Sequence, residues 1–493
     1  MKDLTGLFFI FLFGCTAPNH GPVFTPDASV VLIRVYKQDH SQVDPWIKKK
    51  ISTEHHLGTI VKGSDNERYI LVTAWATIHS TEISMIRYQD KKVTPLQIKK
   101  VDYNSNLAIL SPKDKKTLDG LIPVTIGPDV QTGSDINLFT DYNQVKIQNH
   151  KGSISAVGVY EGTTSSYQIP NYLLKIDKIA LGWSEPVFHG NQLIAISSGQ
   201  GKEYIFALPS MLIRKFLQSP LDAKASDFPT PGFATQSLLS PELRDSLSVS
   251  ELNHGIRIAL VEANSPYVNQ IFPNDVLTKV GQYPIDKHQN YKHPVWGDIP
   301  WVAIYNQLSP GDSLSLEIYR NGKKMTINGK LTPYRANDHL IWQDQYQKQA
   351  PWIIYGGLII QELSKDYLKS WGKLWQQEAN STFLYYWFHK NMIHKPEKRI
   401  VFISKVLSDP VNTGYEPFTN VMIESINSKP VYNLESVRNA IASPVQKNEN
   451  KFTIFSLSEG RGEIILLHKK ALGSHRRIAE RYNIYQKDHF FSE

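Results

Sequence analysis

From Ala28 to about Tyr160, short apolar runs ("SVVLIRVY", "YILVTAWATI", "NLAIL", "DINLFT") alternate with Gly, Asn and Asp clusters. That pattern is the signature of many short strands and predicts a β-barrel or sandwich. Pro209 then opens "PSMLIRKFL", where Pro suits a first helical turn and Met211, Leu212 and Phe216 share one face. The Pro, Ser and Asp-rich run "QSPLDAKASDFPTP" closes this first unit. In the next hundred or so residues, "IPWVAIYNQL" predicts a helix and "SLSLEIYRNGKKMTI" a hairpin. There Leu314, Leu316 and Ile318 alternate inward, and Asn321-Gly322 supplies the positive φ angles of a two-residue turn. A comparable order recurs: strands "IVFISKVL" and "VMIESINSKPV", a helix capped by Asn433, then strands "KFTIFSL" and "EIILLH". Two modules of similar build therefore follow the first unit.

Composition changes this picture little. The chain of 493 residues is long enough for about three domains, and at 41% hydrophobic and 20% charged it is too apolar for intrinsic disorder. The net charge of +8 is spread along the chain, and "KKK" at 48–50 and "HRR" at 475–477 are short, so no nucleic-acid partner is expected. The only cysteine, Cys15, follows Lys2 and the apolar run Leu7 to Phe13, which is far shorter than the ~20 residues that span a bilayer. This reads as a secretory signal. "LFGC", residues 12–15, resembles a bacterial lipobox, with Cys15 as the lipidated residue, "TAPNHGPVFTPD" as a tether and Thr16 pointing to the outer membrane. The alternative is an ordinary secretory signal with a buried thiol.

Three segments then carry a resemblance. "GTIVKG...YILVTAWATI" is similar to "GSGFVI...ILTNAHVV" of the HtrA/Deg serine proteases, "DYNSNLAIL" to "DPxxDLALL", and "FALPSMLIRKF" to "YAIPSxxVxxF". "SPELRDSLSV", "GIRIALVEANSPYVNQIFPNDVLTKVGQYPI" and "VLSDPVNTGYE" resemble the plant-type Deg branch with two PDZ domains. The resemblance implies a mainly β fold: a trypsin-like double β-barrel (28–218) followed by PDZ domains at 228–335 and 350–473. A signal peptide (1–14), a tether (15–27) and a C-terminal tail (474–493) complete the expected organisation.

The resemblance puts the family's catalytic histidine at Ala76, which cannot accept a proton, and its aspartate at Asn106, which lacks the charge that would stabilise an imidazolium. The nucleophile loop "GNSGGP" is reduced to "GWSEP", residues 182–186. With a one-residue deletion Ser184 holds the nucleophile position and Gly182 the oxyanion loop; without it Trp183 stands there and no hydroxyl remains. Glu185 adds a negative charge where an oxyanion would develop. A serine without a base is a poor nucleophile, so the three changes together predict a pseudoprotease. An active endopeptidase would need Ser184 with a substitute base, His79 or His189; their ordinary reading is as turn residues. No metal or cofactor motif is present, and "EHH" at 54–56 reads as a loop.

PDZ domains bind peptides without a triad, adding a strand to a sheet edge beneath a Gly-containing loop. By the resemblance, that loop is Pro231-Gly232-Phe233 in the first module, where proline removes one N–H. In the second it is Gly356-Gly357-Leu358, the more competent of the two on this local argument. The aromatic insertion holding Trp371, Trp375, Tyr385, Tyr386, Trp387 and Phe388 is expected between domains or at an oligomer contact. The expected partners are unfolded or C-terminal peptides, a membrane through lipid at Cys15, and further copies of the chain. The expected location is the bacterial outer membrane, facing the periplasm. A purely structural oligomer joined by its PDZ modules is the third possibility.

Overall fold

The computed structural model describes residues 24–141, 143–176, 183–221, 228–336, 340–342, 346, 349–390 and 398–491. Two closed six-stranded barrels come first. One is formed by β1 (Val30–Lys37), β2 (Ser52–Lys62), β3 (Arg68–Thr73), β4 (Ser80–Ile86), β5 (Val93–Asp102) and β6 (Leu107–Pro112) in the order β1-β2-β3-β6-β5-β4. The other is formed by β7 (Asp135–Thr140), β8 (Gln148–Glu161), β9 (Gln168–Ile176), β10 (Pro186–His189), β11 (Gln192–Gln200) and β12 (Ile205–Pro209) in the order β10-β11-β12-β9-β8-β7.

The apolar runs are unbroken because both faces of several strands are covered. Val31, Ile33, Ile70, Val72, Ala108 and Leu110 fill the first barrel. Their neighbours Val30, Leu32, Leu71, Leu107 and Ile109 meet Phe188, Leu193 and Ile196 of the second barrel across a shared core. Each such side chain taken fully out of water stabilises by about 1.5–3 kcal/mol. The helix Ser210–Gln218 seals this core with Leu212, Ile213 and Phe216. Pro209 has no capping side chain, and Asp129 serves instead: its Oδ1 accepts from Ser210 Oγ at 2.9 Å and from the Met211 N–H at 3.0 Å.

The two modules downstream have PDZ architecture. In the first, strands Phe233–Ser237, Ile256–Val261, Val276–Val280, Ser313–Arg320 and Lys323–Lys330 form one sheet. Asn321 and Gly322 take φ of 50° and 74° at its last hairpin. The segment expected as a helix is a 3-10 helix, Trp301–Gln307. It packs on the second barrel, where the Asn306 amide donates to the Gln168 carbonyl at 3.1 Å.

In the second module, Asn433 caps Leu434–Ile441 through a capping box with Ser436. Most of the aromatic insertion lies elsewhere than expected. Trp375, Phe383 and Trp387 pack against Leu363, Tyr367 and Phe402 of their own module, while Tyr385 and Phe388 are exposed. Residues 475–491 are packed too. Arg477 pairs with Asp409 through two bonds of 2.6 and 2.7 Å, and Phe490 bridges in parallel to Ile354. The module docks on the first barrel through Trp46 against Trp352 (5.9 Å), Lys405 with Asp44 (2.5 Å), and Tyr346 stacked on Tyr103 (3.8 Å).

Candidate functional site

Strand β3 ends at Thr73 and turns into a 3-10 segment, Ala74–Thr77, that holds Trp75 and Ala76. Ala76 is fully buried, and its methyl belongs to the apolar core of the first barrel. Asn106 arrives from the turn before β6 with φ 56°, a left-handed conformation that asparagine tolerates better than most residues. Its Oδ1 accepts the Trp75 N–H at 3.0 Å, and its carbonyl accepts the Ala74 N–H at 3.0 Å. The amide therefore staples the turn. Its Nδ2, on a side chain in a residue only 1% exposed, has no hydrogen-bond partner among the described residues.

Ser184 is fully buried with φ 61°. Its Oγ accepts the Thr73 N–H at 2.9 Å and lies 2.7 Å from Thr73 Oγ1, while its own N–H donates to the Ser197 carbonyl at 2.9 Å. The hydroxyl thus ties the loop before β10 to the end of β3. Trp183, one residue earlier, stacks on Trp75 with centroids 5.1 Å apart and planes 17° apart. It is Trp183 that lines the cleft. Gly182 lies outside the described residues, as does Cys15. The His79 ring is held with Nε2 3.4 Å from Asp39, and its backbone N–H donates to the Tyr346 carbonyl at 2.9 Å; His189 Nδ1 lies 2.7 Å from the Asp135 carbonyl. Both histidines are engaged away from Ser184.

Glu54 and His56 fall in β2, where a loop was expected. Lys37 lies 2.6 Å from Glu54, donates to the Trp75 carbonyl at 2.9 Å and sits 5.0 Å over the Trp75 ring. Burial works against the Glu54 carboxylate, but bonds to His56 and Lys37 outweigh it and bring its pKa to about 2. Among the described residues no group of His, Cys, Asp and Glu has the arrangement of a metal site.

Glu185 is the group that sequence reasoning undervalued. It is 4% exposed, and burial pushes its carboxyl up to about 8, partly offset by the Ser197 hydroxyl (2.8 Å) and the Trp183 N–H. The unfolded chain releases this proton near pH 4.5 and the folded chain only near 8. The folded state therefore holds more protons between those values, and this group's contribution to stability falls by up to about 1.4 kcal/mol per pH unit as pH rises through the window. Glu185→Gln keeps an acceptor for Ser197 and removes the titration. Its melting temperature is expected to match wild type at pH 5 and to exceed it increasingly toward pH 8, as followed by differential scanning fluorimetry. Parallel curves would refute this.

Beside Asn106 and Trp183 opens a cavity of about 350 Å³, walled by Ile169, Phe206, Leu208 and the polar pair Asn171 and Ser198. The loop of the first PDZ domain borders a smaller cavity of about 140 Å³, into which Lys390 and Glu262 also face. Gly232 has φ 71°, and an added Cβ would meet Ser265 Cα at 2.5 Å, so only glycine fits. Its N–H is spent on Thr230 Oγ1 at 3.1 Å; with Pro231 carrying none, this loop offers few donors. Phe233 stacks on Trp301 at 5.3 Å.

In the second PDZ domain, Gly356-Gly357 forms the two-residue turn of a hairpin pairing Trp352–Tyr355 with Leu358–Glu362. Strand Leu358–Glu362 has Val401–Val406 on its other side, so both its edges are occupied. Local sequence favoured this loop because it reveals two glycines but not which strand returns to pair beside them.

A trypsin-like double barrel followed by two PDZ domains is the class this architecture defines. A PDZ-domain family model matches residues 341–488. In Arabidopsis thaliana, "Putative protease Do-like 3, mitochondrial" is 23% identical, covering 83% of this chain and 70% of that protein. "Protease Do-like 2, chloroplastic" is 22% identical over 92% of this chain and 74% of that one. Among solved structures, the HtrA-type protease AlgW with a decapeptide aligns over 63% of this chain and 96% of its own, at 19% identity and a TM-score of 0.47. The serine endoprotease from Yersinia pestis aligns over 63% and 95%, at 16% identity and a TM-score of 0.41. The chain is a homologue of the Deg/HtrA proteases.

Proposed function

We propose that this homologue is a pseudoprotease that binds unfolded or C-terminal polypeptide segments without cutting them and acts as a chaperone, adaptor or scaffold. The observation that carries the reading is the commitment of the Ser184 hydroxyl to Thr73, with alanine at position 76 where a base would have to stand. Losing a triad member typically lowers turnover by roughly 10⁴–10⁶. Asn106 supports the same reading, because its amide oxygen is spent on the Trp75 N–H. The PDZ architecture supports peptide binding in general. On the motif "LFGC" the protein is anchored by lipid at Cys15 in the bacterial envelope, and on the family resemblance it assembles as a homo-oligomer.

The test is to incubate the purified chain with unfolded casein and a fluorophosphonate probe. No cleavage and no labelling are expected. Labelling that disappears in Ser184→Ala would overturn the proposal in favour of an active endopeptidase.

A further inference from the structure

The run "DHFF", residues 488–491, lies along the outer edge of strand Trp352–Tyr355. That strand is the last of its sheet: Leu358–Glu362 pairs with its inner side, and on its outer side, among the described residues, Phe490 makes one parallel bridge to Ile354. The backbone contact is small. The Phe491 N–H donates to the Ile354 carbonyl at 3.0 Å, and His489 Nδ1 lies 3.0 Å from the Trp352 carbonyl, its ring stacked on the indole at 4.0 Å. Successive side chains of an extended segment point to opposite faces. Accordingly Phe490 joins Trp352, Ile354 and Ile478, while Phe491 joins Ile353, Tyr355 and Leu358. Packing on the Phe490 side is incomplete. Between this segment and helix His475–Tyr482 opens a hollow of about 630 Å³, lined by Ala479, Ile484, Phe490 and the 84% exposed Tyr485. Arg476 and Glu480 at its wall are paired with each other at 2.8 Å, and burial brings His475 down to about 4, so it is neutral near pH 7. Atoms that face a hollow forgo the dispersion contacts of a close-packed core, so this segment is held less firmly than an interior strand.

We propose that the outer edge of strand Trp352–Tyr355 is a strand-addition site for unfolded polypeptide, and that residues 489–491 are its resident occupant. A client segment with two consecutive aromatic or large apolar residues takes their place beside Ile354, and its first side chain extends into the hollow beside Ile484. Main-chain bonds hold such a segment whatever its sequence, and the two apolar clusters select its side chains. Because the resident segment is tethered, it competes at an effective concentration of roughly millimolar, so the edge stays covered until a client brings better contacts or several such segments. This deepens, and rests on, the reading of binding without cutting.

The experiment uses the full chain and two fluorescein-labelled probes read by anisotropy: the peptide IYQKDHFFSE, which is residues 484–493, and reduced, carboxymethylated α-lactalbumin. Phe490→Ser combined with Phe491→Ser removes the resident segment's anchors, and the peptide is expected to bind this variant at least about tenfold more tightly than wild type. His489→Ala removes only the stack on Trp352, leaves both phenylalanines in place and is expected to shift peptide binding the same way by about two- to fivefold, which keeps the test open should the double variant melt early. A peptide with serine at both phenylalanines is expected not to bind. Peptide binding no tighter to the folded variants than to wild type would overturn the site. Labelled α-lactalbumin that binds but is not displaced by unlabelled peptide would overturn it as the client site while leaving the functional reading intact. Absence of α-lactalbumin binding to wild type and variants alike would overturn the functional reading, whatever the peptide does.

Discussion

A chain carrying Ala76→His and Asn106→Asp together is expected to leave casein uncut and to remain unlabelled by a fluorophosphonate. The two changes restore an imidazole and a carboxylate by residue type, but a triad also needs a hydroxyl within hydrogen-bond reach of the base. The serine at the aligned nucleophile position, Ser184, is fully buried and keeps its hydroxyl against Thr73, where it accepts the backbone N–H of β3. Releasing it would leave that buried N–H unpaired, at about 1–3 kcal/mol. The ring of Trp183 holds the exposed side of the loop against Trp75. Glu185 adds to the barrier: ionised, it would oppose a developing oxyanion, and neutral, it remains bonded to Ser197. Only with Trp183→Ser added does a hydroxyl stand at the Trp75 side of the loop, so the triple variant is where labelling should first emerge. Casein cleavage by the double variant at any rate above the buffer blank would refute this account.

The largest loss of stability is expected from Trp352→Ala. Trp352 is 1% exposed, stacks on His489 at 4.0 Å with planes 7° apart, and meets Trp46 of the first barrel at 5.9 Å. Its indole N–H has no hydrogen-bond partner among the described residues, so the loss is one of packing and cavity formation, about 3–5 kcal/mol for a buried tryptophan. The effect should be local before it is global. The C-terminal segment is held by the Phe491 N–H donating to the Ile354 carbonyl at 3.0 Å, two residues along the strand that Trp352 anchors. Hydrogen exchange at Phe491 should therefore accelerate well before the barrels lose protection. Unchanged exchange there, with a melting curve like that of the wild type, would refute the role assigned to Trp352.

Most of the fold is legible in the sequence. Short apolar runs with turn residues between them specify strands whichever way the chain later closes, and the Asn321-Gly322 and Asn433 signals act within a few residues of where they stand. The substitutions at 76 and 106 are legible for the same reason: what alanine and asparagine lack is a property of the side chain alone. The aromatic insertion and residues 475–491 were less so, because an apolar segment reveals that it must be covered but not by what; here the cover is largely its own PDZ module.

The geometry of the site belongs to tertiary structure. Ser184 and Thr73 are 111 residues apart, and only barrel closure and the packing of β11 beside β3 bring the hydroxyl to that N–H. The elevated pKa of Glu185 follows from its surroundings, since a carboxyl in a five-residue loop carries no sign of how dry its place will be. The second PDZ loop makes the same point. Two glycines license a turn, but whether it cradles a ligand or closes a hairpin depends on the strand that pairs alongside. Thus the sequence by itself determined the strand-rich double-barrel and PDZ plan and the absence of a base at position 76. Tertiary structure alone decided which side chains face the cleft, because burial, hydrogen-bond partners and edge pairing are set by residues far away along the chain.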